Sequence, residues 1–160
     1  WDAATYAKEA NVRKAAEKKM QAFSMKLQNL LVGGKLDEGM ALVDAETSGD
    51  TEEAKAMRGQ VAMMLNSIAW AVTDPKQKLP PQFDALKKSN VELARKAVAL
   101  SNGEDGQILD TLAFALAQSG NYKEAVEVQE KAVSKLPAGA PAEMKKELQA
   151  RLEEYKAKAK

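Results

Sequence analysis

The chain has 160 residues and carries 24 Lys and Arg against 23 Asp and Glu, so its formal net charge is +1. This balance gives no electrostatic reason to expect a nucleic acid or a membrane surface as a partner. Cysteine and histidine are both absent, which excludes disulfides, thiolate nucleophiles, imidazole bases and zinc-finger sites. Hydrophobic residues make up 45% of the chain and charged residues 29%, as in a folded domain rather than a disordered segment.

The first fifty residues predict a lead-in helix (1–19) followed by a weak helical hairpin (20–50). The lead-in stretch is rich in Ala and Lys, which favour helix, and is expected to extend the next helix backward. In the hairpin, Phe23 and Leu27 precede Gly33–Gly34, and a short second helix begins near Leu36. Because the chain begins at Trp1 rather than Met, we interpret it as a processed or excised fragment.

Residues 51–105 predict a second hairpin whose two helices are separated by an inserted loop. Asp50 with Glu53 predicts the N-terminal cap of the first helix. The spacing of four apolar residues places them on one helix face: Leu65, Ile68, Ala69 and Val72. Three prolines between 74 and 82 predict the loop, and the partner helix is expected to run from Phe83 to Leu100.

Residues 106–139 give the clearest hairpin. Asp105 is the predicted cap of its first helix, Gly120–Asn121 the turn, and the second helix begins near Tyr122 and ends before Pro137. The same face spacing recurs in each helix: Leu109, Leu112, Ala113 and Leu116, then Ala125, Val128, Ala132 and Leu136. A last helix over 141–158 carries an apolar stripe that includes Leu148, Leu152 and Tyr155 and is expected to cap the open end.

Hairpins repeated in this way predict an all-α fold of about seven helices stacked as a solenoid, with a plain helical bundle as the alternative. The hairpin over 106–139 resembles a tetratricopeptide repeat at its Leu and Ala positions, at Gly120 and Tyr122 in the turn, and at Pro137. Gln129 departs from the pattern, since an aromatic residue is usual there. The resemblance covers about residues 20–139, with two or three repeats, and implies a right-handed solenoid that binds proteins or peptides.

A narrower resemblance links the chain to a helical-repeat region at the C-terminus of bacterial thioredoxin-like proteins. It rests on the segments 65–70 (LNSIAW), 110–113 (DTLA) and 120–122 (GNY), and on Trp1–Asp2 before the Ala- and Lys-rich stretch. It implies a thiol-disulfide oxidoreductase as the parent protein, which would be exported or periplasmic. A Cys-x-x-Cys motif upstream of Trp1 would support this link.

The first helices of the hairpins are predicted to line a concave, peptide-binding face. Trp70 and Phe114 would form its apolar floor, with Asn66 and Asp110 offering hydrogen bonds. In the alternative, which we favour for these residues, Trp70 belongs to the core and Asn66 bonds Asp110. The predicted face comprises Met63, Asn66, Ser67, Trp70, Gln107, Asp110, Thr111 and Phe114.

No sequence motif predicts catalysis, a cofactor or a metal ion. The segment 33–35 (GGK) lacks the remaining residues of a phosphate loop, and 101–112 lacks two oxygen ligands of a calcium loop. The predicted face also carries no Lys or Arg on the first helices, which argues against a clamp for acidic peptide tails. We therefore predict a non-enzymatic binding or scaffold module. The alternative is a self-association module, for instance a homodimer formed through the lysine-rich N-terminal helix and an exposed stripe of the last helix.

Overall fold

The computed structural model describes residues 2–160, except for the side chains at positions 3 and 4; the prediction made for Trp1 therefore lies outside the described residues. Within this range the chain is all-α and holds no strand, which confirms the predicted fold class. A short 3-10 turn spans Pro81–Phe83. The α-helices are α1 (Ala3–Val32), α2 (Leu36–Thr47), α3 (Glu52–Thr73), α4 (Asp84–Lys87), α5 (Asn90–Leu100), α6 (Gly106–Gln118), α7 (Tyr122–Ser134) and α8 (Ala142–Lys158).

The helices pack chiefly on their neighbours along the chain. The pairs α1–α2, α3–α5 and α6–α7 form the three hairpins, while α2–α3, α5–α6 and α7–α8 connect one hairpin to the next element. In addition, α3 lies beside α6, so the first helices of the second and third hairpins are in contact. This order of contacts is the one expected of hairpins stacked in a row. The right-handed twist of such a row stays a prediction.

The core follows the predicted apolar faces. In α6 all four residues of the predicted face are buried, and in α7 Ala125, Val128 and Ala132 are buried while Leu136, beyond the helix end, is half buried. One continuous hydrophobic cluster extends from Phe23 in α1 to Tyr155 in α8. The stripe of α8 belongs to this interior, because Leu148, Leu152 and Tyr155 are all buried against the chain itself. The idea that the α8 stripe is free for self-association was therefore wrong.

Two helix caps show where single-residue predictions succeed and fail. Asp105 caps α6 as predicted, since its Oδ1 accepts hydrogen bonds from the backbone N–H groups of Gln107 and Ile108 at 2.8 and 3.1 Å. The predicted Asp50 cap of α3 was wrong by one residue. Thr51 has the extended backbone of a cap, and its Oγ1 accepts from the backbone N–H of Ala54 at 3.1 Å.

The helix predicted over Phe83–Leu100 is broken, which gives eight α-helices in residues 2–160 instead of about seven. The chain makes the 3-10 turn, then the single turn of α4, and begins α5 at Asn90. Asn90 is buried, and its Nδ2 donates to Thr73 Oγ1 at the end of α3, 3.1 Å away. This bond ties the start of α5 to the end of α3 and spans the predicted inserted loop.

Two glycines are required by the geometry of the third hairpin. Gly120 has φ +83° after α6, and the N–H groups of Gly120 and Asn121 donate to the carbonyls of Ala117 and Leu116, which closes the helix end. Gly106 begins α6 against the end of α7. A Cβ at Gly106 would lie 2.7 Å from the carbonyl oxygen of Ala132, so only glycine allows this approach.

The first half of α1 projects beyond the packed helices. Between Thr5 and Lys19 every side chain is exposed except that of Ala10, which is half buried. Burial of α1 begins at Met20 and Phe23, where α2 covers it. The lead-in stretch is thus helical, as predicted. We call residues 5–19 the α1 extension.

Candidate functional site

The contact between α3 and α6 brings together the two aromatic residues of the predicted face. The ring centroids of Trp70 and Phe114 are 5.2 Å apart and the ring planes are inclined by 44°. Tilted contact at this distance is favourable for aromatic pairs. Both side chains are half buried, so each contributes to the packing of α3 on α6 and keeps part of its surface accessible.

Three further residues of the predicted face are exposed beside this pair. Met63 is 48% exposed, and Ser67 and Gln107 are exposed as well. The Ser67 hydroxyl donates to the carbonyl of Met63 at 2.9 Å within its own helix. The Nε2 of Gln107 lies 3.5 Å from the sulfur of Met144 in α8. We use the name α3–α6 face for the accessible residues of the predicted face, which are Met63, Ser67, Trp70, Gln107 and Phe114.

The prediction was wrong for Asp110 and Thr111, which are buried rather than displayed. Thr111 is 2% exposed, and its hydroxyl donates to the carbonyl of Gln107 at 3.2 Å. Asp110 is 6% exposed, and α7 and α8 supply the partners of its carboxylate. The predicted bond between Asn66 and Asp110 is absent from the described hydrogen bonds.

The carboxylate of Asp110 is held by two residues that the sequence reasoning did not assign to the site. Gln129 in α7 is fully buried, and its Nε2 donates to Asp110 Oδ1 at 2.8 Å and to the carbonyl of Leu148 at 3.1 Å. Arg151 in α8 forms an ion pair with Asp110 Oδ2. A polar residue on the apolar face of α7 was a usable signal for Gln129, since buried amides need partners.

Arg151 also covers the Trp70 ring. Its guanidinium carbon lies 5.2 Å from the ring centroid, within the range of a cation–π contact. The first helices carry no Lys or Arg on the α3–α6 face, as the sequence indicated, but α8 brings this arginine to it. Because Asp110 neutralises Arg151, the face gains hydrogen-bond donors rather than a free positive charge.

Three buried polar atoms in this region have no hydrogen-bond partner among the described residues: Asn66 Oδ1, Gln129 Oε1 and the Tyr155 hydroxyl. The Asn66 acceptor is one helical turn before Trp70 in α3. Burial is the main reason why the pKa of Tyr155 is raised, and the negative charge of Asp110 raises it further.

The described residues contain no group of three or more Asp and Glu side chains placed to hold a metal ion. Among the helices between residues 2 and 160, none is long and apolar enough to cross a membrane.

Comparison of the chain with protein-family models, with curated proteins and with solved structures gave no match. The resemblance to tetratricopeptide repeats therefore rests on the residues quoted for it and stays a prediction, as does the link to thioredoxin-like proteins.

Proposed function

We propose that this chain is a non-catalytic protein-binding or scaffold module that takes an extended peptide on the α3–α6 face. The observation that carries the proposal is the half-buried pair of Trp70 and Phe114 on the two adjacent helices. Large aromatic side chains that stay partly accessible are typical anchors of binding surfaces. The pair is bordered by exposed Met63, Ser67 and Gln107, so apolar and polar groups of a peptide both find partners there.

The polar groups of the face suit a peptide backbone. Arg151 uses one guanidinium nitrogen for Asp110 and has further N–H groups that can donate to carbonyl oxygens. The exposed side chains of Ser67 and Gln107 add oxygen acceptors for backbone N–H groups of the peptide. These features favour an uncharged, extended stretch of chain over a cationic one.

We further propose that the module belongs to a bacterial thiol-disulfide oxidoreductase. Such a parent protein would be exported or periplasmic. This proposal depends on the segments 65–70, 110–113 and 120–122 and on Trp1–Asp2 before the Ala- and Lys-rich stretch.

Ser67 offers a test that leaves the fold intact. We expect Ser67→Lys to weaken binding about tenfold or more, because a long side chain at this exposed position blocks access to Trp70. The probe is a set of peptides selected on the wild-type chain from a random-sequence display library, with affinities measured by calorimetry. Ser134→Lys is the matched control, because Ser134 is also exposed and its hydroxyl donates to a carbonyl of its own helix, that of Lys131.

Trp70→Ala is the stronger variant, and its circular dichroism spectrum shows whether the helices persist. Selected peptides that bind the Ser67→Lys chain as tightly as the wild type would contradict the proposal. A library that yields no binding peptide would contradict it as well.

A further inference from the structure

The α1 extension is long, helical and almost entirely in solvent. It comprises fifteen of the 30 residues of α1, about 22 Å of helix at 1.5 Å per residue. Helices of this length are marginal in water even when they are rich in alanine, and most helices in proteins depend on packing. A partner surface along the extension would therefore stabilise it.

A regular stripe on the extension continues the buried face of α1. Counting back from the buried residues Leu27 and Phe23, steps of alternately three and four residues reach Met20, Ala16, Arg13 and Glu9. This spacing is the a/d repeat of helices that pair side by side. The side chains of Glu9 and Arg13 are exposed and form no ion pair or hydrogen bond within residues 2–160.

The body of the molecule leaves room beside this stripe. One open cleft of about 780 Å³ lies between α1 and α3 and is lined mainly by Ala16, Met20, Gly59, Met63 and Met64. A second cleft of about 590 Å³ lies between α1, the end of α2 and the start of α3. Methionine side chains adapt to the shape of what packs on them, so these clefts can accept another helix.

We propose that the α1 extensions of two copies of this chain pair antiparallel, so that each extension enters the cleft between α1 and α3 of the other copy. The charges select the register. In antiparallel pairs an a position faces a d position of the partner. When Glu9 of one copy faces Arg13 of the second, the twofold axis repeats the ion pair in reverse, and residue 6 of each copy falls opposite Ala16 of the other.

Shifting the helices by one heptad in either direction removes this match. One shift places Glu9 opposite Met20 and leaves Arg13 against Ala16, so both charges lose their partners. The other shift shortens the overlap and sets Glu9 against Tyr6 and Arg13 against Asp2, which precedes the helix, so that Glu9 loses its partner. The register with two Glu9–Arg13 pairs is the one in which all charges of the stripe from Glu9 to Met20 are compensated.

The dimer goes beyond the proposed peptide binding and shares only Met63 with the α3–α6 face, so its charge variants are placed on α1, away from Ser67 and Trp70. The test compares molecular mass by sedimentation equilibrium from about 1 μM to about 1 mM, the range in which weak dimers form. We expect the wild type to approach twice the monomer mass, and Glu9→Arg and Arg13→Glu to weaken self-association at least about tenfold each, since like charges then face each other twice. The matched control is Lys14→Glu, which changes the net charge by the same amount as Arg13→Glu but lies outside the stripe. This variant should dimerise like the wild type.

The decisive sample is an equimolar mixture of the two weakened variants. In the mixed pair, the Glu9→Arg chain presents arginine at both stripe positions, 9 and 13, and the Arg13→Glu chain presents glutamate at both. Opposite charges then face each other twice, so the mixture should dimerise more tightly than either variant alone and approach the wild type. This result does not depend on how either substitution alters the helix itself.

A wild type that stays monomeric over the whole range, single variants that dimerise like the wild type, or a mixture that stays monomeric would each overturn the proposal. The substitutions at residues 9 and 13 leave Ser67 and Trp70 unchanged, so peptide binding is measured separately on the same variants.

Discussion

Tyr155 buries a hydroxyl that has no hydrogen-bond partner among the described residues, close to the carboxylate of Asp110. Both circumstances oppose ionisation, and the pKa of Tyr155 is accordingly raised. An unfolded tyrosine loses its proton near pH 10. Above that pH the unfolded chain binds fewer protons at this residue than the folded chain does. The stability contributed by neutral Tyr155 is therefore complete below pH 10 and is lost as the pH rises further.

Tyr155→Phe should flatten the alkaline loss of stability. We expect the free energy of unfolding of the wild type to fall faster above pH 10, by up to about 1.4 kcal/mol per pH unit relative to the variant. At pH 7 the variant should be as stable as the wild type or about 1 kcal/mol more stable, because a buried hydroxyl without a partner is removed. Urea unfolding followed by circular dichroism at several pH values measures both effects. Parallel pH profiles would show that Tyr155 ionises freely in the folded chain.

The residues of the α3–α6 face were predictable to the extent that apolar spacing determines them. The pairing of Trp70 with Phe114 follows from placing equivalent helices side by side, and the structure confirms their contact. The burial of Asp110 was not predictable from α6 alone. Its carboxylate is enclosed because Gln129 in α7 and Arg151 in α8 contact it, and these residues lie 19 and 41 positions further along the chain. Helical periodicity within α6 carries no information about such contacts.

Close approach of backbones determines how the elements of the third hairpin meet. Gly106 begins α6 where the carbonyl of Ala132 leaves no space for a Cβ, whereas Gly59 lies within α3, where an added Cβ would have no atom within 4 Å. The two glycines therefore predict opposite responses to the same substitution.

We expect Gly106→Ala to destabilise the chain by about 1–3 kcal/mol, since the backbones of α6 and α7 must separate to accept the methyl group. Gly59→Ala should instead stabilise it by about 0.5–1 kcal/mol, because alanine is the better helix former at an open position. Thermal unfolding of both variants measures the difference. A Gly106→Ala chain that melts with the wild type would mean that the α6–α7 contact is looser than the structure indicates.

At the level of elements, the sequence predicted the existence of nearly all helices and located their ends less well. Apolar spacing and the Gly120–Asn121 turn are local properties, and the hairpin over 106–139 appears where they placed it. The break before α5 lies instead next to the bond from Asn90 to Thr73, a contact between residues seventeen apart that local spacing does not reveal. The cap of α3 is Thr51 rather than the adjacent Asp50, and apolar spacing does not distinguish between these two polar residues.

For the molecule as a whole, the order of helix contacts follows the order of the sequence, and this is why composition and periodicity sufficed for the fold class. The same property explains why the ligand could not be predicted. Stacked hairpins with equivalent cores can present very different outer faces, so the architecture does not determine what binds.

The loop between α3 and the 3-10 turn is a position at which the chain can be divided without separating the packed helices. Residues 75–78 are exposed, while the helices on both sides are held by the Thr73–Asn90 bond and by buried Leu65, Ala69 and Leu93. Fragments 1–77 and 78–160, produced as separate polypeptides, should therefore reassemble into one particle that co-elutes in size-exclusion chromatography. Separate elution at concentrations near 100 μM, roughly the weak end of specific association, would show that the linker is needed to hold the halves together. Reassembly would make this loop a natural point for dividing the molecule into a two-component reporter.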